Sequence, residues 1–504
     1  MGVINTYVRN KFAEESPLRK AEFVRQGLPT FDEIKDRLPV PAWENHQSAI
    51  DCYWKAWELA FTNLRKPTPE NGFVSNYIDT AFNDHLFMWD SVFILMFGRY
   101  GTRAFNFQNT LDNLYTKQHP DGFICREISE ATGEDRWQRY DLASTGPNVM
   151  AWSEWEYYLN FHDEERLARV FPALVAYYQW FRMYRCWPDG SYYNCGFGCG
   201  MDNNPRLDEP IFNSAPHLWH GFMSWADTTL QQIVAGKQIV LMARVLGRES
   251  DVNDIAEEID SLTQYANEKL WDEKAGFYCD RKRDGTLTGI KSIGGYWALL
   301  AGIVPEARIE LFINHLNNEK EFNRIHRVPS LAADEAKYHP EGSYWCGSIW
   351  APTNYMVLRG LTATDHDTLA HEIAMNHHGN VVKVFEETGT IWENYAPDSV
   401  ARGNNSKADF VGWSGLPPIA VLFEYVFGIR SDVPSNRIVW DVRLREEHGI
   451  KNYPFGTDAT VDLLCKARSS AQQKPRISVE TTVPLSVELR WEGGSGTLDV
   501  KPSA

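Results

Sequence analysis

The chain has little of what marks several large classes of protein. Its longest apolar stretches, such as VLFEYVFGI, are too short and interrupted to cross a bilayer. The opening residues, MGVINTYVRNKFAEESPLRK, lack the apolar core that a secretory signal needs. No long Lys/Arg run breaks an acidic background of net charge −17, so the basic footprint of a nucleic-acid binder is missing. The eight cysteines are scattered. Only Cys195 and Cys199 lie close, in CGFGC, and no His pair follows at zinc-ligand spacing. The expectation is a cytoplasmic protein with reduced thiols, no metal, and neither membrane nor nucleic acid as partner. Neither GxxxxGK[ST], HExxH nor GxSxG occurs, which removes phosphate-loop, zinc-peptidase and nucleophile-elbow chemistry.

What the chain does have is length, apolar mass and aromatic rings. Its 504 residues are 43% hydrophobic and 13% aromatic, with 19 Trp and 22 Tyr. That richness suits either a large helical core or a site that stacks on the apolar faces of sugars, and composition does not separate the two.

Apolar spacing of three and four residues predicts an amphipathic helix over SAIDCYWKAWELAFTNL. Further helices follow in FMWDSVFILMFGRYG, NVMAWSEWEYYLNFH, TLQQIVAGKQIVLMARVLG, SIWAPTNYMVLRGL, DHDTLAHEIAMNHHGNVVKVFEET and LPPIAVLFEYVFGI. Within HDEERLARVFPALVAYYQWFRMY, Pro172 is expected to open a second helix at its first turn. Chains of helical hairpins close into an α/α toroid or coil into a solenoid. No fixed short repeat favours the solenoid. After Arg430 the texture becomes alternating and β-branched. The expected organisation is an irregular or partly helical arm over 1–45, a mainly α body over 46–430, and a small β-sandwich module over 431–504.

The chemically loaded segments fall between helices. Trp89 and Asp90 open a helix, and Asp202 sits in GMDNNPR. Tyr344, Trp345 and Trp350 surround Gly347, Glu393 lies between Trp392 and Tyr395, and Trp413 stands beside two glycines. Aromatic walls desolvate a carboxyl group and raise its pKa, which prepares a general acid; a second, ionised carboxylate then activates water. Plainer roles exist for each residue. Asp202 could be a turn former, Glu393 a cap or a partner of Arg402, and Asp90 a helix N-terminal charge. Glu386 and Glu387 rival Glu393 but end a polar helix, while Asp208 and Glu209 rival Asp202 with fewer aromatic neighbours. His377 and His378 read as a surface pair.

At these residues the chain resembles glycoside hydrolase family 63, its mannosylglycerate and glucosylglycerate hydrolases above all, and the related family 37 trehalases. FMWDSVF, STGPNVMAWSEWEYY, GMDNNPR, LWDEKAGFYCD, IHRVPSL, YWCGSIWAPTNYMVLRGL, WENY and VGWSGLPP stand in family order over about residues 46–428. The resemblance implies an (α/α)6 toroid, inversion at the anomeric carbon, and no cofactor. It makes Asp202 the general acid and Glu393 the general base. Trp89, Asp90, Trp152, Arg206, Trp345, Trp350 and Trp413 would line or shape the sugar subsite, with Tyr344, Gly347 and Trp392 beside them. Two blocks depart from the family: Thr145-Gly146-Pro147 replaces a common Gln-Pro-Pro, and Cys346 stands where Arg is frequent. The substrate expected is a small α-glycoside or oligosaccharide, an α-glucoside before an α-mannoside. An epimerase or isomerase using paired histidines (His85, His119, His326 and His339 lie in loops) and a non-catalytic carbohydrate-binding scaffold are the alternatives.

Overall fold

In the computed structural model, residues 8–23, 27–79, 83–206 and 216–502 are described. Among them, twelve helices carry the packing of the body: α1 (Gln47–Thr62), α2 (Met88–Gly98), α3 (Thr110–Thr116), α4 (Met150–Phe161), α5 (Glu164–Tyr184), α6 (Ala226–Leu246), α7 (Asn253–Tyr265), α8 (Trp297–Leu300), α9 (Glu306–Asn314), α10 (Ala351–Ala363), α11 (Asp367–Thr388) and α12 (Leu416–Val426). Two kinds alternate. Every residue of α2 and of α12 is buried, as apolar runs without a polar face require. In contrast α7 buries only Ile255, Ile259 and Leu262, one stripe at spacings of four and three. The even-numbered helices pack in succession, α2 on α4, α4 on α6, α6 on α8, α8 on α10 and α10 on α12, and α12 returns to α2. Odd-numbered helices lie against them: α5 and α7 on α6, and α11 on α10 and α12.

Two local expectations are corrected. Pro172 lies inside one continuous helix, α5, rather than opening a second. A mid-helix proline costs roughly 3 kcal/mol. Here the buried stripe of Phe171, Leu174, Tyr178 and Phe181 runs straight through it and offsets that cost. His377 and His378 are buried in the interior of α11, not displayed on its end. They continue the inward stripe of Ala370, Ile373 and Ala374. His377 Nδ1 meets His326 Nε2 at 2.8 Å, and His378 Nδ1 meets the Pro417 carbonyl at 2.9 Å.

The C-terminal region forms two four-stranded sheets. One orders β1 (Val40–Trp43), β4 (His448–Phe455), β5 (Ala459–Cys465) and β6 (Ile477–Thr481), all antiparallel. The other orders β8 (Gly494–Val500), β7 (Leu485–Trp491), β3 (Arg437–Asp441) and β2 (Ile429–Asp432), with β7 and β3 parallel. Alternate burial in β5 and β7 puts Val461, Leu463, Val487 and Leu489 inside. The arm, expected to be irregular or partly helical, supplies β1, with Val40 opposite Lys451 and Trp43 opposite His448. Trp43 then packs edge-on against Phe427 at 5.7 Å, which ties the arm and the sheets to the end of α12.

A buried charge network ties the even-numbered helices together. Arg99, just past α2, donates to Glu424 of α12 at 2.6 Å and to Glu156 of α4 at 3.2 Å. Arg359 of α10 also pairs with Glu156, and its other nitrogen lies 3.6 Å from Glu424. Tyr100 and Tyr355 hydroxyls donate to Glu424, and Trp152 Nε1 donates to Glu156 at 3.1 Å. Removing one partner of such a network leaves a buried charge uncompensated, at a cost of about 3–5 kcal/mol. Glu424→Gln is therefore expected to lower unfolding free energy by that order in chemical denaturation. A change within about 0.5 kcal/mol, the usual scale of a surface substitution, would refute the network's role.

Candidate active site

Four loop segments meet beyond the N-terminal ends of these helices. The first is set by a short ladder in which His85–Phe87 pairs antiparallel with Glu127–Ser129. Met88 N–H donates to the Arg126 carbonyl at 2.8 Å, so α2 begins with Phe87, Trp89 and Asp90 beside Arg126. The second carries Asp202. A short helix, Gly196–Cys199, stops at Gly200 in the left-handed region (φ 77°). A Cβ there would lie 3.0–3.2 Å from the Trp89 ring, so glycine lets the loop lie on that indole. The third holds Tyr344, Trp345 and Trp350, the two indoles stacked at 4.3 Å and 4° and Tyr344 edge-on to Trp350 at 4.8 Å. The fourth holds Glu393. Its carbonyl accepts from Trp413 Nε1 at 3.0 Å and Ser414 Oγ at 3.2 Å, and its amide donates to the Lys407 carbonyl. Reciprocal hydrogen bonds between Ile349 and Tyr395 join the third segment to the fourth.

Between them lies a narrow cavity of about 80 Å³. Of the residues expected at the site, Trp89, Asp90, Asp202, Tyr344, Trp345, Trp350 and Trp413 line it. Glu393 joins through the Tyr344 hydroxyl, which donates to its Oε1 at 3.4 Å. Four expected residues sit elsewhere. Trp152 is enclosed by Phe93, Trp297 and Tyr355 in the helical core. Arg206 is buried in ion pairs with Asp227 and Asp280, over the Trp225 ring. Gly347 donates its amide to Ser330 Oγ, and Trp392 lies under Arg402 with Nε1 on Thr388. Arg402 thus stacks on Trp392 instead of pairing with Glu393. Glu386 and Glu387 are exposed, and Asp208 and Glu209 lie outside the described residues.

Sequence reasoning missed Phe87, Arg126, Gly146, Pro147, Phe197 and Gly200, all of which line the cavity. The Thr-Gly-Pro departure could have pointed to Gly146 and Pro147. Arg126 carries no local signal. Its Nε donates to the Ala143 carbonyl at 2.7 Å, and its guanidinium lies over the rings of Phe87, Trp137 and Phe197.

Charge in the cavity is finely opposed. Burial pushes the Asp202 carboxyl up to about 6; Arg126 works against that rise, and the negative charge of Glu393 adds to it. Burial also lifts Asp90 well above the carboxylate range, again against Arg126, and one of its oxygens has no hydrogen-bond partner among the described residues. Glu393 is raised by burial, while Lys407 and the Tyr344 hydroxyl pull it back down. A group that holds its proton up to about pH 6 thus faces one whose ionised form has two local stabilisers, in a pocket walled by indoles. That division of labour is what cleavage of an acetal requires.

A family model described as the mannosylglycerate hydrolase MGH1-like glycoside hydrolase domain matches residues 83–414, a span that contains every cavity-lining residue. The chain belongs to this family. It is an O-glycosyl hydrolase of the family 63 type. A probable mannosyl-oligosaccharide glucosidase of Schizosaccharomyces pombe is 27% identical over 285 residues, 50% of this chain and 34% of that one. The chain therefore spans about a third of that relative's length. The GH63 mannosylglycerate hydrolase from Thermus thermophilus, solved in complex with glucose, matches with a TM-score of 0.58 at 21% identity, covering 73% of this chain and 99% of that one. The neutral trehalase of Saccharomyces cerevisiae matches with a TM-score of 0.52 at 14% identity, covering 71% and 76%. At these identities the two structures share the fold with this hydrolase.

If Glu393 helps to hold Asp202 protonated, removing its charge must let Asp202 ionise more easily. In the unliganded enzyme, NMR titration of the Asp202 carboxyl should give an apparent value near 6 that moves down in Glu393→Gln. A value that stays put or rises would separate the two carboxylates.

Proposed function

We propose that this hydrolase cleaves an α-glycosidic bond with inversion, Asp202 acting as general acid and Glu393 as general base. The observation that carries the reading is the pairing of a raised Asp202 with a tethered Glu393 across one indole-walled cavity. Asp202 gives its proton to the glycosidic oxygen as the C–O bond breaks. Glu393 takes a proton from water, whose oxygen bonds to the anomeric carbon from the opposite face of the ring. Room for that water calls for carboxyl groups about 6.5–9.5 Å apart. Trp89, Tyr344, Trp345, Trp350 and Trp413 form the walls of the sugar subsite, and Asp90 offers its unpartnered oxygen to a sugar hydroxyl. Trp152, Arg206, Gly347 and Trp392 support these residues from behind. Among the described residues the lining contains no histidine, so proton carriage of the epimerase kind draws no support from it.

The return of α12 to α2 supports closure of the helical pairs as an (α/α)6 toroid over residues 46–430, with 431–504 as a β-sandwich module. The substrate class we favour is a small α-glucoside or oligosaccharide, with α-mannosides second. Eight unpaired thiols fit a cytoplasmic setting. No helix among the described residues is long and apolar enough to cross a membrane.

A panel of glucosylglycerate, mannosylglycerate, trehalose and larger α-glucosides tests the reading. Asp202→Asn and Glu393→Gln should each lower kcat by about a hundredfold or more on the best substrate. Because the acid must be protonated, kcat/KM should fall as pH rises through about 6. Activity within a few-fold of wild type in either variant would remove that residue from its role.

A further inference from the structure

The acid and the base sit on loops far apart in the chain, yet one side chain links them. Asn203, directly after Asp202, uses both ends of its amide on the facing loop. Its Oδ1 accepts from the Trp345 amide at 2.7 Å, and its Nδ2 donates to the Ser343 carbonyl at 3.1 Å. The contact is reinforced on both sides. Cys346 Sγ donates to the Asn203 carbonyl at 3.2 Å, and Asn204 Nδ2 donates to the Trp345 carbonyl at 3.1 Å. The residue held between these anchors is Tyr344, which adopts a left-handed backbone (φ 58°) that non-glycine residues seldom take. Its carbonyl accepts from Trp350 Nε1 at 3.2 Å, and its hydroxyl donates to Glu393 Oε1 at 3.4 Å.

We propose that Asn203 is a positioning residue for Glu393. Its amide clamps the backbone on both sides of Tyr344, fixes the left-handed turn, and so aims the phenol at the base. The inference rests on Glu393 being the base and extends that reading: one asparagine sets the acid loop and the base in register. A left-handed tyrosine without such a clamp relaxes to ordinary backbone, which swings the hydroxyl away from the carboxylate. Cys346 takes part in the same loop-to-loop contact, since its thiol donates to the Asn203 carbonyl.

The titratable and charged groups facing Glu393 are Lys407 on its own loop, Tyr344 on the facing loop and Asp202 across the cavity. Of these, Tyr344 and Lys407 favour the ionised form. Losing the phenol contact therefore raises the pH at which Glu393 ionises. Two readouts follow the effect: the acid limb of kcat/KM on the fastest substrate of the panel above, and the Glu393 carboxyl titration in glutamate-labelled enzyme, assigned through Glu393→Gln. Tyr344→Phe and Asn203→Ala are each expected to move both readouts up by about half a pH unit or more. The double variant is expected to move no further than Tyr344→Phe alone, since both changes break one link. Asn203→Ala should also lower kcat by about tenfold or more through misplacement. Asn203→Ser, too short to bridge both anchors, gives the same shift with less disturbance. Asn203 variants with reduced kcat and an unmoved Glu393 titration would overturn the proposal while leaving the base assignment intact. Full activity in Glu393→Gln would instead overturn the base assignment itself.

Discussion

The pairing of Arg99 and Arg359 with Glu156 and Glu424 is the constraint on which the rest of the architecture turns. The four charges come from the segments of α2, α4, α10 and α12, far apart in sequence, and each is largely removed from water. Charges buried at this depth are tolerable only when every partner is in place. The network therefore fixes the mutual register of these helices rather than simply adding to their cohesion. Register matters because the same helices begin at the site: α2 one residue before Trp89, α10 directly after Trp350, and α12 three residues after Trp413. Apolar packing alone would tolerate small slips between such smooth helices. The salt-bridged core does not.

That arrangement also decides the electrostatics of the cavity. Burial raises all three carboxyls, Asp90, Asp202 and Glu393, and would by itself leave none of them a useful base. Different opponents then separate them. Arg126 bears on Asp90 and Asp202, whereas Lys407 and Tyr344 bear on Glu393. In the proposed mechanism Asp202, raised to about 6, serves as the acid, and the water-activating role is assigned to the carboxylate with two local stabilisers. The helix N-termini around the cavity add a further favourable field for negative charge there.

Much of this was legible in the sequence, for identifiable reasons. Aromatic rings beside carboxylates in Gly-rich loops mark a desolvated site, and seven of the residues read this way do line the cavity. Periodicity of three and four marked the helices, and alternation marked β5 and β7. What escaped was information held between segments. Arg126 becomes important only because a two-strand ladder brings it beside Phe87 and α2. The family resemblance places Trp152 at the sugar subsite, but its helix turns it into the core toward Glu156. His377 and His378 are polar letters on a polar helix, and their burial depends on His326 arriving from a loop and Pro417 from the first turn of α12. Val40–Trp43 gives no strand signal until β4 offers it an edge.

The central claim is that a water stands between the two carboxylates and attacks the face of the sugar opposite the leaving group. The stereochemistry of the first-formed product tests it most directly. Proton NMR during early turnover of an α-glycoside, recorded before mutarotation, should show the β-hemiacetal anomer appearing first. Initial release of the α-anomer would mean a covalent intermediate in place of that water, and would contradict the account.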